Sequence, residues 1–204
     1  VRAWEFKPGN ARAVHHATMQ VDATGASSRY DEDDQAAGYE GLIAPSARAP
    51  DGFFLDWAPG HRPNVAVPGT AWPLPAASAL VMMLHLRPSG KVEPVQASVA
   101  LYFADTPPAR VPVMLRLTRQ DLDIPAGTAG YVARDSYVLP VDVEVHTVQP
   151  HGHYLATEMD GTVTTPDGQA RSLVRIRDWD FNWQDVYHYA APLRLPAGSR
   201  LSMA

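Results

Sequence analysis

Val141-Asp-Val-Glu-Val-His-Thr-Val148 reads as a β-strand before anything else is known of the chain. Val141, Val143 and Val145 fall on one face, and Asp142, Glu144 and His146 on the other. That period of two is what a pleated backbone imposes. Upstream, Tyr131–Leu139, Val111–Thr118 and Val95–Ala104 have strand patterns. In the last, Ala97, Val99, Leu101 and Phe103 alternate with Ser98, Ala100 and Tyr102. Ala79–Arg87 is apolar on both faces, with Leu80, Met82, Leu84 and Leu86 on one and Val81, Met83 and His85 on the other, which predicts a strand buried on both sides. Gly52–Trp57, Arg12–Val21 and Val1–Phe6 extend the series to the start of the chain.

Downstream, His151–Thr165 reads as one long strand, turned by Pro166-Asp-Gly168. Ala170–Trp179 returns, with Val174 and Ile176 opposite Arg175 and Arg177. Leu195-Pro-Ala-Gly198 is a turn, and Arg200–Ala204 opens another strand. Residues 58–77 are proline-rich and irregular, and residues 119–130 have the composition of a linker. Ser27–Gln35 carries Asp31-Glu-Asp-Asp34 and reads as a solvated loop, because it lacks the spaced oxygen ligands of a calcium loop. No amphipathic helix of three turns is evident. Regularly spaced short strands with turn signals predict an all-β chain, and its 204 residues suit two domains, 1–118 and 119–204. Both ends fall on strands and read as cut from something longer.

Composition removes whole classes of function. Hydrophobic residues make up 46% and charged residues 19%, enough for a core and too little charge for global disorder. Cysteine is absent, which excludes disulfides, CxxC redox chemistry, cysteine zinc sites and a cysteine nucleophile. Seventeen basic residues against 22 acidic ones leave a net charge of −5 and no basic excess to hold nucleic acid. The longest uninterrupted apolar run, Ala79–Leu84, is far short of the roughly 18 residues of a membrane span. No GxSxG elbow is present. A paired-carboxylate mechanism has no sequence signature and stays open.

The eight histidines carry the remaining signal. His151-Gly-His153 places two imidazoles on one face of a strand, about 7 Å apart at Cα. They could converge on one metal (Cu, Zn, Fe or Ni) or sit on the surface. His15 and His16 are adjacent, so an ideal strand sends them to opposite faces, and only an irregular strand lets both reach one metal. His85 is either a satisfied core histidine or a third ligand for a remote pair. His146 reads as a surface residue, His188 as packing among aromatics, and His61 as exposed.

Four stretches together carry a resemblance. They are Val14-His-His-Ala17, Val81-Met-Met-Leu-His85 with the following Arg-Pro-Ser-Gly-Lys91, Pro150-His-Gly-His153, and Asp178-Trp-Asp-Phe-Asn-Trp-Gln184. In this order and spacing the chain resembles the copper type II, ascorbate-dependent monooxygenases, the family of peptidylglycine α-hydroxylating monooxygenase and dopamine β-hydroxylase, and most of all its bacterial branch. The resemblance implies two consecutive antiparallel jelly-roll-like β-sandwich domains, each with one copper. It implies that His15, His16 and His85 hold an electron-transfer copper, and that His151 and His153 hold the copper where O2 and substrate react. The activity implied is hydroxylation of a C–H bond of a small-molecule or peptide substrate, with ascorbate or another electron donor and O2. An extracytoplasmic setting, periplasmic or secreted, is implied with it.

The chain departs from the family at several points. The family's methionine ligand lies on a strand downstream of the HxH motif, and the sequence ends at Ala204 before such a strand. Met203 comes too early, and Met159 lies too far along the strand of His153, so neither is carried over. Met83 stands where the animal enzymes have glutamine, and their disulfides have no counterpart. Two rival readings follow from the residues. One is a non-catalytic copper-binding or carrier module. The other is a β-sandwich that binds glycans or proteins, with structural histidines and with binding aromatics drawn from five Trp and eight Tyr.

Overall fold

The computed structural model describes all residues except 37, 40–44, 51–54 and 120. Strand outweighs helix by 36% to 4%, so the chain is all-β, and its named strands pair antiparallel in several sheets. The chain forms two compact units, Val1–Met114 and Leu115–Ala204.

In the first unit, β1 (Ala3–Lys7) lies between β4 (Asn64–Val65) and β6 (Ser98–Tyr102), and β2 (Val14–Asp22) lies between β3 (Asp56–Trp57) and β5 (Ala79–Leu86). One core draws on both sheets. Trp4 and Phe6 of β1 join Val14, Ala17, Met19 and Val21 of β2, with Leu55, Trp57 and Trp72. Leu80, Met82 and Leu84 of β5 and Val99 and Leu101 of β6 pack against it partly buried. The loop between β1 and β2 is pinned by Gly9, whose φ is +69° and on which a Cβ would stand 2.2 Å from the Gln96 carbonyl oxygen. Only glycine permits that approach.

The second unit holds β7 (Asp135–Val138), β8 (Val143–Val148), β9 (Met159–Thr164), β10 (Ala170–Ile176), β11 (Tyr187–Leu195) and β12 (Arg200–Met203). Their orders are β10-β9-β12-β7 and β11-β8. Leu139, Val163, Leu195 and Leu201 form its small buried core. Pro192 interrupts β11, where the register slips between His188 and Leu193, as a residue without an N–H requires.

Several expectations are corrected. Val111–Thr118 is not a strand. Pro112 removes a donor, and Val111, Val113, Met114 and Leu115 are exposed and pair with none of the described strands. Ala79–Arg87 is not buried on both faces. β5 pairs with β2 alone among the described strands, its residues are half-buried, and its last two, His85 and Leu86, are exposed. His151–Thr165 is not one strand, since β9 begins at Met159. Residues 58–77 contain the short β4. Within the stretch read as a loop, Ser27–Asp33 forms a two-turn helix, α1. Its start is organised by buried Asp22, whose carboxylate accepts the Ser27 N–H at 2.7 Å and the Thr24 N–H and hydroxyl at 2.9 and 2.7 Å. Residues 52–54 of the Gly52–Trp57 strand lie outside the described residues. No described helix is long and apolar enough to cross a membrane.

Candidate metal centres

β2 contains the decisive irregularity. Its pairing with β5 runs Val14 opposite Leu86 and then His16 opposite His85, so two steps on β2 match one on β5. His15 is the extra residue of a β-bulge. The burial phase records the same slip. Val14 is inward at an even position, yet Ala17, Met19 and Val21 are inward at odd ones. Across the slip the two adjacent histidines no longer point to opposite faces. The Nδ1 atoms of His15 and His16 lie 3.0 Å apart, and their ring centroids 5.1 Å apart. The His85 ring packs on His16 at 3.8 Å between centroids. Three imidazoles from two strands therefore form one contiguous cluster. The condition stated from the sequence, an irregular strand, is met at the residue that needed it.

Electrostatics at His15 favour its neutral form. Burial, then the charges of Arg87 and His85, holds the His15 pKa below the usual histidine value. An imidazole kept neutral retains the lone pair that a metal requires.

His151 and His153 lie in the loop between β8 and β9, and both are exposed. Their rings stand 5.1 Å apart at 73°. The loop turns directly after them, where the Ala156 N–H donates to the His153 carbonyl at 2.9 Å. Gly152 leaves space that its neighbours fill. A Cβ on it would meet the Met159 Cε at 2.3 Å and the Ala156 Cβ at 3.0 Å, with Trp179 Nε1 at 3.8 Å. The loop thus folds back over the start of β9. Met159 is a neighbour of the motif and not a residue six positions along its strand, which corrects the reason for setting it aside. Its methyl group packs against Gly152.

The Asp178–Gln184 run braces this loop, a role the sequence did not disclose. Trp179 is buried beneath Gly152, and its backbone N–H donates to the Thr157 carbonyl at 2.9 Å. Phe181 sets its ring edge-on to His153 at 5.8 Å and stacks on Tyr154 at 4.2 Å. Asp180 accepts the Asn182 backbone and side-chain N–H groups at 2.8 and 3.1 Å, and the Gln184 amide donates to the Phe181 carbonyl at 2.9 Å. Arg175 and Arg177 anchor the approach to the turn on Asp160 and Glu158. The available signal was a dense aromatic run next in order to a glycine between two histidines.

The other histidines stay apart from these clusters. His146 is half-buried, 3.7 Å from the Glu144 carboxylate. His188 is exposed and not packed among aromatics, because it lies where β11 leaves its register. His61 is half-buried and not exposed, since it accepts the Ala58 N–H at 3.4 Å in a tight turn.

The fit to copper rests on donor chemistry. Two nitrogens each about 2.0 Å from one metal, set at a right angle, lie about 3 Å apart. The His15–His16 separation matches this, and the donors are imidazoles, which suit copper. His85 stacks on His16 in this arrangement. Among the described residues, no group of three or more His, Asp or Glu side chains is placed so that it could hold a metal ion. No family model matches the chain, and no curated protein matches it.

Proposed function

We propose that the chain acts in copper-dependent monooxygenation, hydroxylating a C–H bond with O2 and a reductant such as ascorbate, on two β-sandwich domains of jelly-roll type. The observation that carries the reading is the one-residue bulge at His15, which brings His15 beside the cross-strand pair His16 and His85, where an ordinary ladder would turn it to the other face.

In this reading His15, His16 and His85 hold the electron-transfer copper, and His151 and His153 hold the copper that meets O2 and substrate. Copper would supply the one-electron and oxygen chemistry. The chain's own residues do the rest. The bulge turns two neighbouring rings to one side, and burial lowers the His15 pKa, which favours the neutral ring. The Gly152 turn presents His151 and His153 to solvent, where a substrate can approach, and Phe181 limits the rotation of the His153 ring.

The test is metal content and electron paramagnetic resonance of reconstituted protein, with oxygen uptake in the presence of ascorbate. The parent chain is expected to hold copper at both clusters, and His85→Ala and His151→Ala each to lose one class of copper signal. Unchanged copper in both variants sinks the assignment. Copper binding without oxygen uptake would favour the carrier reading, and no copper uptake the reading with structural histidines.

A further inference from the structure

A cleft of about 380 Å3 opens beside the bracing turn, lined by Ile176, Asp178, Trp179, Asp180, Trp183 and Tyr187. It combines two features that a cationic ligand could use. Trp183 is 60% exposed and Tyr187 37% exposed, so large aromatic surface faces water. The Asp178 carboxylate has no hydrogen bond or ion pair among the described residues, and Asp180 commits only Oδ1, to Asn182.

The cations nearest in sequence do not neutralise this charge. Arg175 and Arg177 flank Ile176 but are tied to Asp160 and Glu158. No lining residue is basic. Aromatic faces beside uncompensated carboxylates attract a cation with an apolar body, through ring quadrupole and charge together. A neutral saccharide could stack on Trp183 but gains nothing from the net charge, and an anion is repelled.

We propose that this cleft is a binding site for an organic ammonium group, with Trp183 and Tyr187 against its alkyl body and Asp178 facing its charge. Trp179 lines the cleft and also lies under Gly152, so the cleft adjoins the histidine loop. The proposal does not depend on copper, and its test uses metal-free protein.

The experiment titrates choline into the full chain by calorimetry, with neohexyl alcohol, its neutral carbon isostere, and cellobiose as comparison ligands. Saturable choline binding is expected, weakened by added salt and weakened roughly tenfold in both Asp178→Asn and Trp183→Ala. Trp183→Phe keeps an aromatic wall and should retain most of the affinity. These side chains are exposed, so circular dichroism is expected to show unchanged folding. Absence of choline binding, equal binding of neohexyl alcohol, full affinity in Asp178→Asn, or preference for cellobiose would each overturn the proposal.

Discussion

Gly152→Ala tests the packing that shapes the second histidine loop. The added methyl would stand 2.3 Å from the Met159 Cε and 3.0 Å from the Ala156 Cβ. Carbon contacts settle near 3.5–4.0 Å, so the first clash demands a shift of about 1.2–1.7 Å and the second about 0.5–1 Å. The Met159 methyl ends a flexible side chain and can swing aside. Ala156 cannot, because its Cβ moves only with the backbone of the 153–156 turn. Overpacking of this kind costs about 1–3 kcal/mol, and the flexible partner argues for the lower half of that range. For the 90-residue unit Leu115–Ala204, a loss of about 1 kcal/mol lowers Tm by roughly 4–8 °C. Differential scanning calorimetry of parent, Gly152→Ala, Met159→Ala and the double variant closes a cycle. The double variant should recover part of the loss, because Met159 is one of two obstacles. The His151–His153 copper signal should shift in Gly152→Ala. A Gly152→Ala protein with parental Tm and parental copper spectrum would refute the account of this loop.

Three further outcomes are expected. Hydrogen bonds from the Thr24 side chain and the Ser27 backbone hold the Asp22 carboxyl well below the usual carboxylate range. Its stabilisation is therefore complete above the unfolded-state pKa of about 3.9 and is lost as pH falls through the lower folded value. Asp22→Asn should be less stable than the parent in urea at pH 7, and the gap should shrink near pH 3. Met19→Ala empties a fully buried site in the first core and should cost about 2–5 kcal/mol, with faster hydrogen exchange concentrated in β2 and β5. Val163→Ala, in the separate second core, should cost about 2–3 kcal/mol. Its exchange signature should fall in β9 and β12.

The strand pattern was legible where one face meets a core. Val143 and Val145 pack against the second core, as their alternation with Glu144 and His146 predicts, although those polar side chains are half-buried too. Val111–Thr118 has the same pattern without the partner, so its valines are exposed and no ladder forms. Pairing is a tertiary fact that local alternation does not contain. The run 151–165 failed for a different reason. Tyr154 and Leu155 look like strand residues but are 80% and 96% exposed at the tip of a turn. At the candidate site, the histidines were visible as a set, yet ladder geometry argued against His15 and His16 acting together. The bulge that resolves this is a property of the pairing of β2 with β5. Its trace in the sequence is only the shift of apolar phase between Val14 and Ala17. The aromatic run stood out, but its bracing role did not, since it joins residues more than 20 apart in the chain.

The bulge in β2 also bears on how such a centre could arise or be built. A two-stranded antiparallel pair with a histidine on one strand and a histidine opposite needs only one inserted residue to gain a third imidazole. The insertion disrupts the ladder at one position and leaves every pair beyond it intact, as the unbroken register from His16–His85 to Asp22–Ala79 illustrates. A ligand set of this kind requires no new loop and no change of fold. It can be transplanted as two short strands, with the count of residues between them as the design variable.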